Sequence, residues 1–154
     1  MREILFRGKR IYKNEWVYGN LVIDNRGELH IVRPEDVVQD GHHIRDDSDL
    51  PMFFEQETFG QYTGLKDKNG KRIFEGDIVH YLYEPGKGYW NSDQNSVIEW
   101  RSTGFYMRGI MGTNKYACST GWLVSIPHGD GKCFEVIGNI HDNPELLEGG
   151  EADG

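Results

Sequence analysis

The stretch GQYTGLKDKNGKRIFEGDIV, residues 60–79, decides how the rest of the chain is read. Tyr62 and Leu65 lead into a charged turn, and Ile73 and Phe74 leave it. Asn69-Gly70 is a strong hairpin signal because both residues tolerate positive φ, which turns matching the strand twist require. Glu75-Gly76-Asp77 makes a second corner, after which Ile78, Val79, Tyr81 and Tyr83 start another strand with apolar content on both faces. The stretch therefore reads as a scaffold corner.

Downstream, the loop EPGKGYWNSDQNS precedes VIEWRSTGFYMRGI, which holds two strands across Ser102-Thr103-Gly104. GWLVSIPHGDGKCFEVIGNI holds two more across His128-Gly129-Asp130-Gly131. Strands are thus expected at residues 78–83, 97–101, 105–110, 122–126 and 134–140, and short strands joined by tight turns suit a small, partly open barrel. Phe74, Ile78, Val79, Val97, Trp100, Val124, Val136 and Ile137 are expected to supply much of its core. In HDNPELLEG, Asn143 is the expected cap and Pro144 the first residue of a single helical turn.

Upstream, FRGKRIYKNEWVYGNLVIDNRGELHIV sets Ile11, Trp16, Tyr18, Leu21, Ile23, Leu29 and Ile31 in short runs broken by Lys-Asn and Asn-Arg-Gly, a β-meander pattern. In RPEDVVQDGHHIRDDSDLPMFF, Pro34 and Glu35 open one helical turn that Asp40-Gly41 ends, and an acidic loop follows. A unit boundary falls between residues 55 and 60. The expected organisation is a meander unit at 1–58, a barrel unit at 59–148 and an acidic flexible tail at 149–154, mainly β with little helix.

Composition agrees with that class. The 154 residues include 20 Gly, 7 Phe, 4 Trp and 8 Tyr, which favours short aromatic-rich strands joined by turns. Seventeen Lys and Arg against 25 Asp and Glu give a net charge of −8, which opposes nonspecific attraction to nucleic-acid phosphates. Arg2, Arg7, Lys9, Arg10 and Lys13 make the start basic, and Glu145, Glu148, Glu151 and Asp153 make the end acidic. Ile4-Leu5-Phe6 is too short for the apolar region of a signal peptide, and no window approaches a membrane span, so a cytoplasmic protein with no membrane partner is expected. Cys118 and Cys133 are read as reduced thiols that pack in neighbouring strands.

Residues 60–79, with RGK near the start, WVYGNL after it and VIGNIHDNPELL near the end, resemble the YopX family of small phage and prophage proteins. The likeness spans nearly the whole chain, while residues 40–52 and 84–95 carry no matching motif. It implies a β-rich fold with an SH3-like barrel, an origin in phage or prophage DNA and residence in a bacterial host cell. It carries over no catalytic residues, because the family is largely uncharacterised in function.

Any chemistry must therefore come from individual residues. His42, His43, Asp46, Asp47 and Asp49 are metal-ligand types, but adjacent His side chains diverge, Arg45 sits among the acids, and neither a recognised metal spacing nor the calcium-loop register is present, so the segment reads as a solvated loop. Cys118, His128, Cys133 and His141 are the right types for structural zinc and lack its two-residue cysteine hooks. Gly129-Asp130-Gly131-Lys132 is followed by Cys133 and a strand rather than by Ser or Thr and a helix, so it is a hairpin turn and not a phosphate loop. No serine-hydrolase elbow or His-Glu-x-x-His helix occurs. No catalytic residue, metal or other cofactor is assigned from the sequence.

Surface recognition is what remains. Lys66, Lys68, Lys71 and Arg72 crowd the first hairpin, with Tyr89 and Trp90 as the least scaffold-like aromatics, and basic side chains beside stacking platforms are how small barrels hold single-stranded nucleic acid. Aromatic-lined grooves on SH3-like barrels also bind extended peptide. The leading reading is a noncatalytic phage accessory protein that engages a host or phage protein. Single-stranded nucleic-acid binding is the alternative, a metal-dependent enzyme the third reading, and self-association stays open.

Overall fold

The structure, a computed structural model, describes residues 3–33, 53–81, 94–110, 124–125 and 133–148. Ten strands follow in order: β1 (Phe6–Arg10), β2 (Trp16–Ile23), β3 (Leu29–Val32), β4 (Phe54–Lys66), β5 (Arg72–Phe74), β6 (Asp77–Tyr81), β7 (Gln94–Arg101), β8 (Gly104–Gly109), β9 (Val124–Ser125) and β10 (Phe134–Asn139). They form two sheets, ordered β3-β2-β1-β4-β5 and β10-β6-β7-β8-β9, and the fold is mainly β. Residues 1–62 and 63–154 are two compact units, with β4 running through the division. Residues 58 and 59, where the sequence reading divides the chain, both lie inside β4.

In the first unit the meander β1-β2-β3 forms as its turn residues require, and β4 pairs antiparallel with β1. Val17, Ile31 and Phe54 form the buried core, with Phe6, Leu21 and Phe59 against them. The rings of Phe54 and Phe59 meet edge to face at 5.5 Å, and a Cβ on Gly8 would lie 3.1 Å from the first and 3.2 Å from the second. The β1–β4 register shifts between Arg7 and Lys9, and Thr58 fills the irregularity. Its hydroxyl accepts from the Lys9 N–H at 2.9 Å and donates to the Glu55 carbonyl at 2.6 Å, which satisfies a polar group that is 2 % exposed. Gln56 does similar work at β3, accepting from Leu29 N–H at 2.8 Å and donating to Leu29 C=O at 3.2 Å.

In the second unit β6 is apolar on both sides, as Ile78-Val79 implies. Val79 joins Ile73, Ile98, Met107 and Phe134 in one buried cluster, while Ile78 joins Val97 and Ile110 in another, which Ile140, Leu146 and Leu147 cover. Each such fully buried side chain contributes on the order of 1.5–3 kcal/mol. The last two leucines come from a 3₁₀ turn, Pro144–Leu147, where a single helical turn is expected.

Four details differ from the sequence reading. Trp100 is 48 % exposed, because it lies at the end of β7 beside the Ser102–Thr103 turn, where it meets Phe105 edge to face at 4.9 Å. Ile137 is 38 % exposed: the β10–β6 register shifts between Val136 and Gly138, and the extra residue turns outward. Val136 is half-buried, whereas Phe74, Ile78, Val79 and Val97 are buried as expected. Asn143 makes no side-chain cap bond to the 3₁₀ turn, because its Oδ1 accepts from the Asn139 N–H at 3.3 Å instead. Pro34 and the side chain of Val124 lie outside what the structure describes.

Candidate functional site

The basic hairpin is built on an acid. Asp67 N–H donates to Lys71 C=O at 2.8 Å and Gly70 N–H to Asp67 C=O at 2.9 Å, so Lys68, Asn69 and Gly70 form a three-residue loop. Gly70 takes φ of +82°, and Asn69 is not among the described residues with positive φ. Asp67 Oδ1 accepts from Asn69 N–H at 2.8 Å and Lys71 N–H at 2.9 Å, while Oδ2 reaches β10 and accepts from Val136 N–H at 3.0 Å. Lys68 N–H also donates to Phe134 C=O at 3.0 Å. Burial pushes the Asp67 carboxyl up, but the Val136, Lys71 and Asn69 N–H groups and the Lys71 charge outweigh it and hold the group below the usual carboxylate range.

The same logic fixes the adjoining corners. Asp77, 2 % exposed, accepts from Phe74 N–H at 2.7 Å; Gly76, at φ +80°, donates to Ile98 C=O at 2.8 Å and accepts from Ile140 N–H at 2.9 Å. Near the end, Asn139 Oδ1 accepts from His141 and Asp142 N–H at 3.0 and 2.9 Å. A Cβ on Gly138 would lie 2.5 Å from Asn143 Oδ1. The two longest motifs of the chain, residues 60–79 and VIGNIHDNPELL, are therefore joined by hydrogen bonds in one scaffold.

Lys66, Lys68, Lys71 and Arg72 are all exposed on this hairpin, so the structure does gather these four sequence candidates. Lys68 Nζ lies 2.6 Å from Glu135 Oε2, and that contact first of all holds Glu135 below its usual range. Tyr89 and Trp90 lie outside the described residues, as do His42, His43, Asp46, Asp47, Asp49, Cys118 and His128. Cys133 packs against the Phe134 cluster, and His141 is held in the Asn139 corner.

The hairpin between β2 and β3 repeats the Asp67 geometry. Asp24 N–H donates to Glu28 C=O at 3.0 Å, Gly27 N–H to Asp24 C=O at 3.1 Å, and Gly27 has φ of +84°. Asp24 Oδ1 accepts from Arg26 and Glu28 N–H at 2.8 and 2.9 Å. Here the second oxygen faces side chains: Oδ2 is 3.4 Å from His30 Nε2 and 3.4 Å from Arg26 Nη2, whose other contact is Glu28 Oε2 at 3.1 Å. The Glu28 N–H foremost, against partial burial and with help from Arg26 and His30, lowers the Asp24 carboxyl to about 2. Asp24, Glu28 and His30 each offer a ligand atom within 4.8 Å of the others, the one such trio among the described residues. The sequence reading overlooked both acids. The shared signal is an Asp three residues before a Gly between two strands, an Asx turn followed by a left-handed residue.

Most of the exposed large apolar residues among those described lie in the first unit, the exceptions being Trp100 and Ile137. Ile11, Tyr12 and Phe53 are 49, 82 and 41 % exposed; Ile11 N–H donates to Phe53 C=O at 3.1 Å and the two rings meet edge to face at 6.2 Å. No described helix is long and apolar enough to cross a membrane.

Comparison with known proteins gives two findings. A family model described as YopX protein matches residues 5–148. The crystal structure of protein EF1440 from Enterococcus faecalis is similar with a TM-score of 0.51 and 26 % identity over 96 % of this chain and 100 % of that one. No curated protein matches.

Proposed function

Because the chain belongs to the YopX family, we propose that it is an accessory protein of phage or prophage origin that acts in the cytoplasm of a bacterial host as a noncatalytic protein-interaction module. The observation that carries this reading is the Ile11, Tyr12 and Phe53 group. The exposed rings of Tyr12 and Phe53 meet edge to face, exposed Ile11 is tied to Phe53 by a backbone hydrogen bond, and clustered apolar exposure is a mark of protein contact sites. The state of the acids agrees. Asp24, Asp67, Glu99 and Glu135 are all held below their usual range by N–H or cationic partners, which suits scaffolding, whereas a general base at neutral pH is tuned upward. The reading takes the second unit as an SH3-like barrel, in keeping with its short antiparallel strands and tight turns.

The test is capture from a host lysate by the full chain, by Tyr12→Ser with Phe53→Ser, and by Lys66→Ala with Lys71→Ala and Arg72→Ala. The reading expects a protein that is retained by the wild type and the lysine/arginine variant and lost from the Tyr12/Phe53 variant. Loss from the basic variant alone, together with salt-dependent binding of a single-stranded oligonucleotide, would replace it with nucleic-acid recognition.

A further inference from the structure

The Asp24 hairpin contains more chemistry than a turn needs. Its twin at Asp67 turns its second oxygen to a backbone N–H of β10 and is complete within the scaffold. Asp24 holds its own loop with Oδ1 alone, and Oδ2 is left facing side chains. Glu28 and His30 are two residues apart on the returning chain and so share a face, and His30 sits opposite Val22 in the β2–β3 register. Two carboxylates and an imidazole nitrogen thereby converge with ligand atoms within 4.8 Å of one another; the Asp24 and His30 side chains are largely buried, and that of Glu28 is 44 % exposed.

We propose that Asp24, Glu28 and His30 form a binding site for a divalent transition-metal ion. The donor set selects the class: oxygen donors alone suit calcium or magnesium, whereas an imidazole among carboxylates suits manganese, zinc, cobalt or nickel. With three protein ligands the remaining coordination positions belong to water, so the site is accessible and of moderate affinity. Arg26 marks where the charge sits. Its guanidinium, on a side chain that is 67 % exposed, lies against both Asp24 and Glu28. Arg26 pairs with both acids, and His30 Nε2 lies 3.4 Å from Asp24 Oδ2, so the imidazole that contacts Asp24 also brings a nitrogen donor beside two carboxylates. Arg26 is therefore the competitor that an arriving ion displaces by swinging into solvent.

The experiment uses manganese(II) alone as probe and the full chain, read by amide NMR line broadening at substoichiometric metal. The paramagnetic ion broadens nearby amides selectively, so it locates the site among other His- and Asp-bearing segments. Strongest broadening at residues 22–30 is expected. His30→Ala should weaken binding by about tenfold or more, as loss of a ligand contact does, and Glu28→Gln should weaken it as well. Arg26→Ala should strengthen it several-fold, an outcome that a merely structural ion-pair cluster does not produce. If His30→Ala disturbs the hairpin spectrum, Glu28→Gln and Arg26→Ala decide the matter, since both side chains project to the surface. Broadening centred on residues 40–52 or spread over the acidic surface, binding unchanged by Glu28→Gln, or weaker binding in Arg26→Ala would overturn the proposal.

Discussion

Asp67→Asn tests whether the basic hairpin is a scaffold element. The substitution keeps the size of the side chain and leaves one oxygen to serve Asn69 and Lys71 N–H, but it sets an amide NH2 where Oδ2 now accepts from Val136 N–H at 3.0 Å. Asp67 is 4 % exposed, so water does not replace the lost acceptor. A buried donor left unsatisfied costs about 1–3 kcal/mol, and two opposed donors belong in the upper half, so a loss of about 2–3 kcal/mol at pH 7 is expected from urea denaturation with an unchanged slope. Acid supplies an internal control. The Asp67 carboxyl is held below the ordinary aspartate value of 3.8 in the folded protein, so its contribution is present above that value and lost as pH falls through the lower folded one. The gap between wild type and variant should therefore close as pH drops below about 4. A loss under 0.5 kcal/mol at pH 7, or a gap that does not change with pH, would refute the reasoning.

A Cβ on Gly70 would meet no atom within 4 Å, so the cost of Gly70→Val comes chiefly from the φ of +82°; a loss of about 1–2 kcal/mol by denaturation is expected. Lys71→Ala and Lys68→Ala should leave the midpoint nearly unchanged, since both side chains are exposed. Ile98→Ala, at a position 1 % exposed, should cost about 2–5 kcal/mol, whereas Val136→Ala, half-buried, should cost about 1 kcal/mol; equal losses would contradict the placing of the core. Gly138→Ala should displace Asn143, detectable as altered amide shifts at Asn139 and Leu146, because a Cβ there would lie 2.5 Å from Asn143 Oδ1.

The mainly β class, the strand–turn–strand reading of residues 60–79 and the 3₁₀ turn after Asn143 were legible because each rests on local chemistry: Gly at a left-handed position, Pro at a first helical residue, alternating apolar residues. Burial was legible where a strand is buried on both faces, as at Ile78 and Val79. It failed at Ile137, where a register shift adds an extra residue, and at Trp100, where the sheet ends, since neither local pattern reveals a bulge or a boundary. Asp67, Asp77 and Thr58 were missed for a related reason. A polar residue in a charged stretch looks solvated, and only the fold shows that N–H groups of Val136, Phe74 and Lys9 need these acceptors. The candidate basic residues were found by clustering in sequence, whereas the Asp24, Glu28 and His30 trio required knowing that the β2–β3 hairpin closes on Asp24.

Native-state amide hydrogen exchange measures most directly whether residues 60–79 and the C-terminal motif form one scaffold. The N–H groups of Val136, Phe74 and Ile140, bonded to Asp67, Asp77 and Gly76, should exchange as slowly as those of Val79 and Ile98 and only through global unfolding of their unit. Fast exchange at these three amides, with slow exchange confined to β6 and β7, would show that the motif segments open independently and would contradict the account.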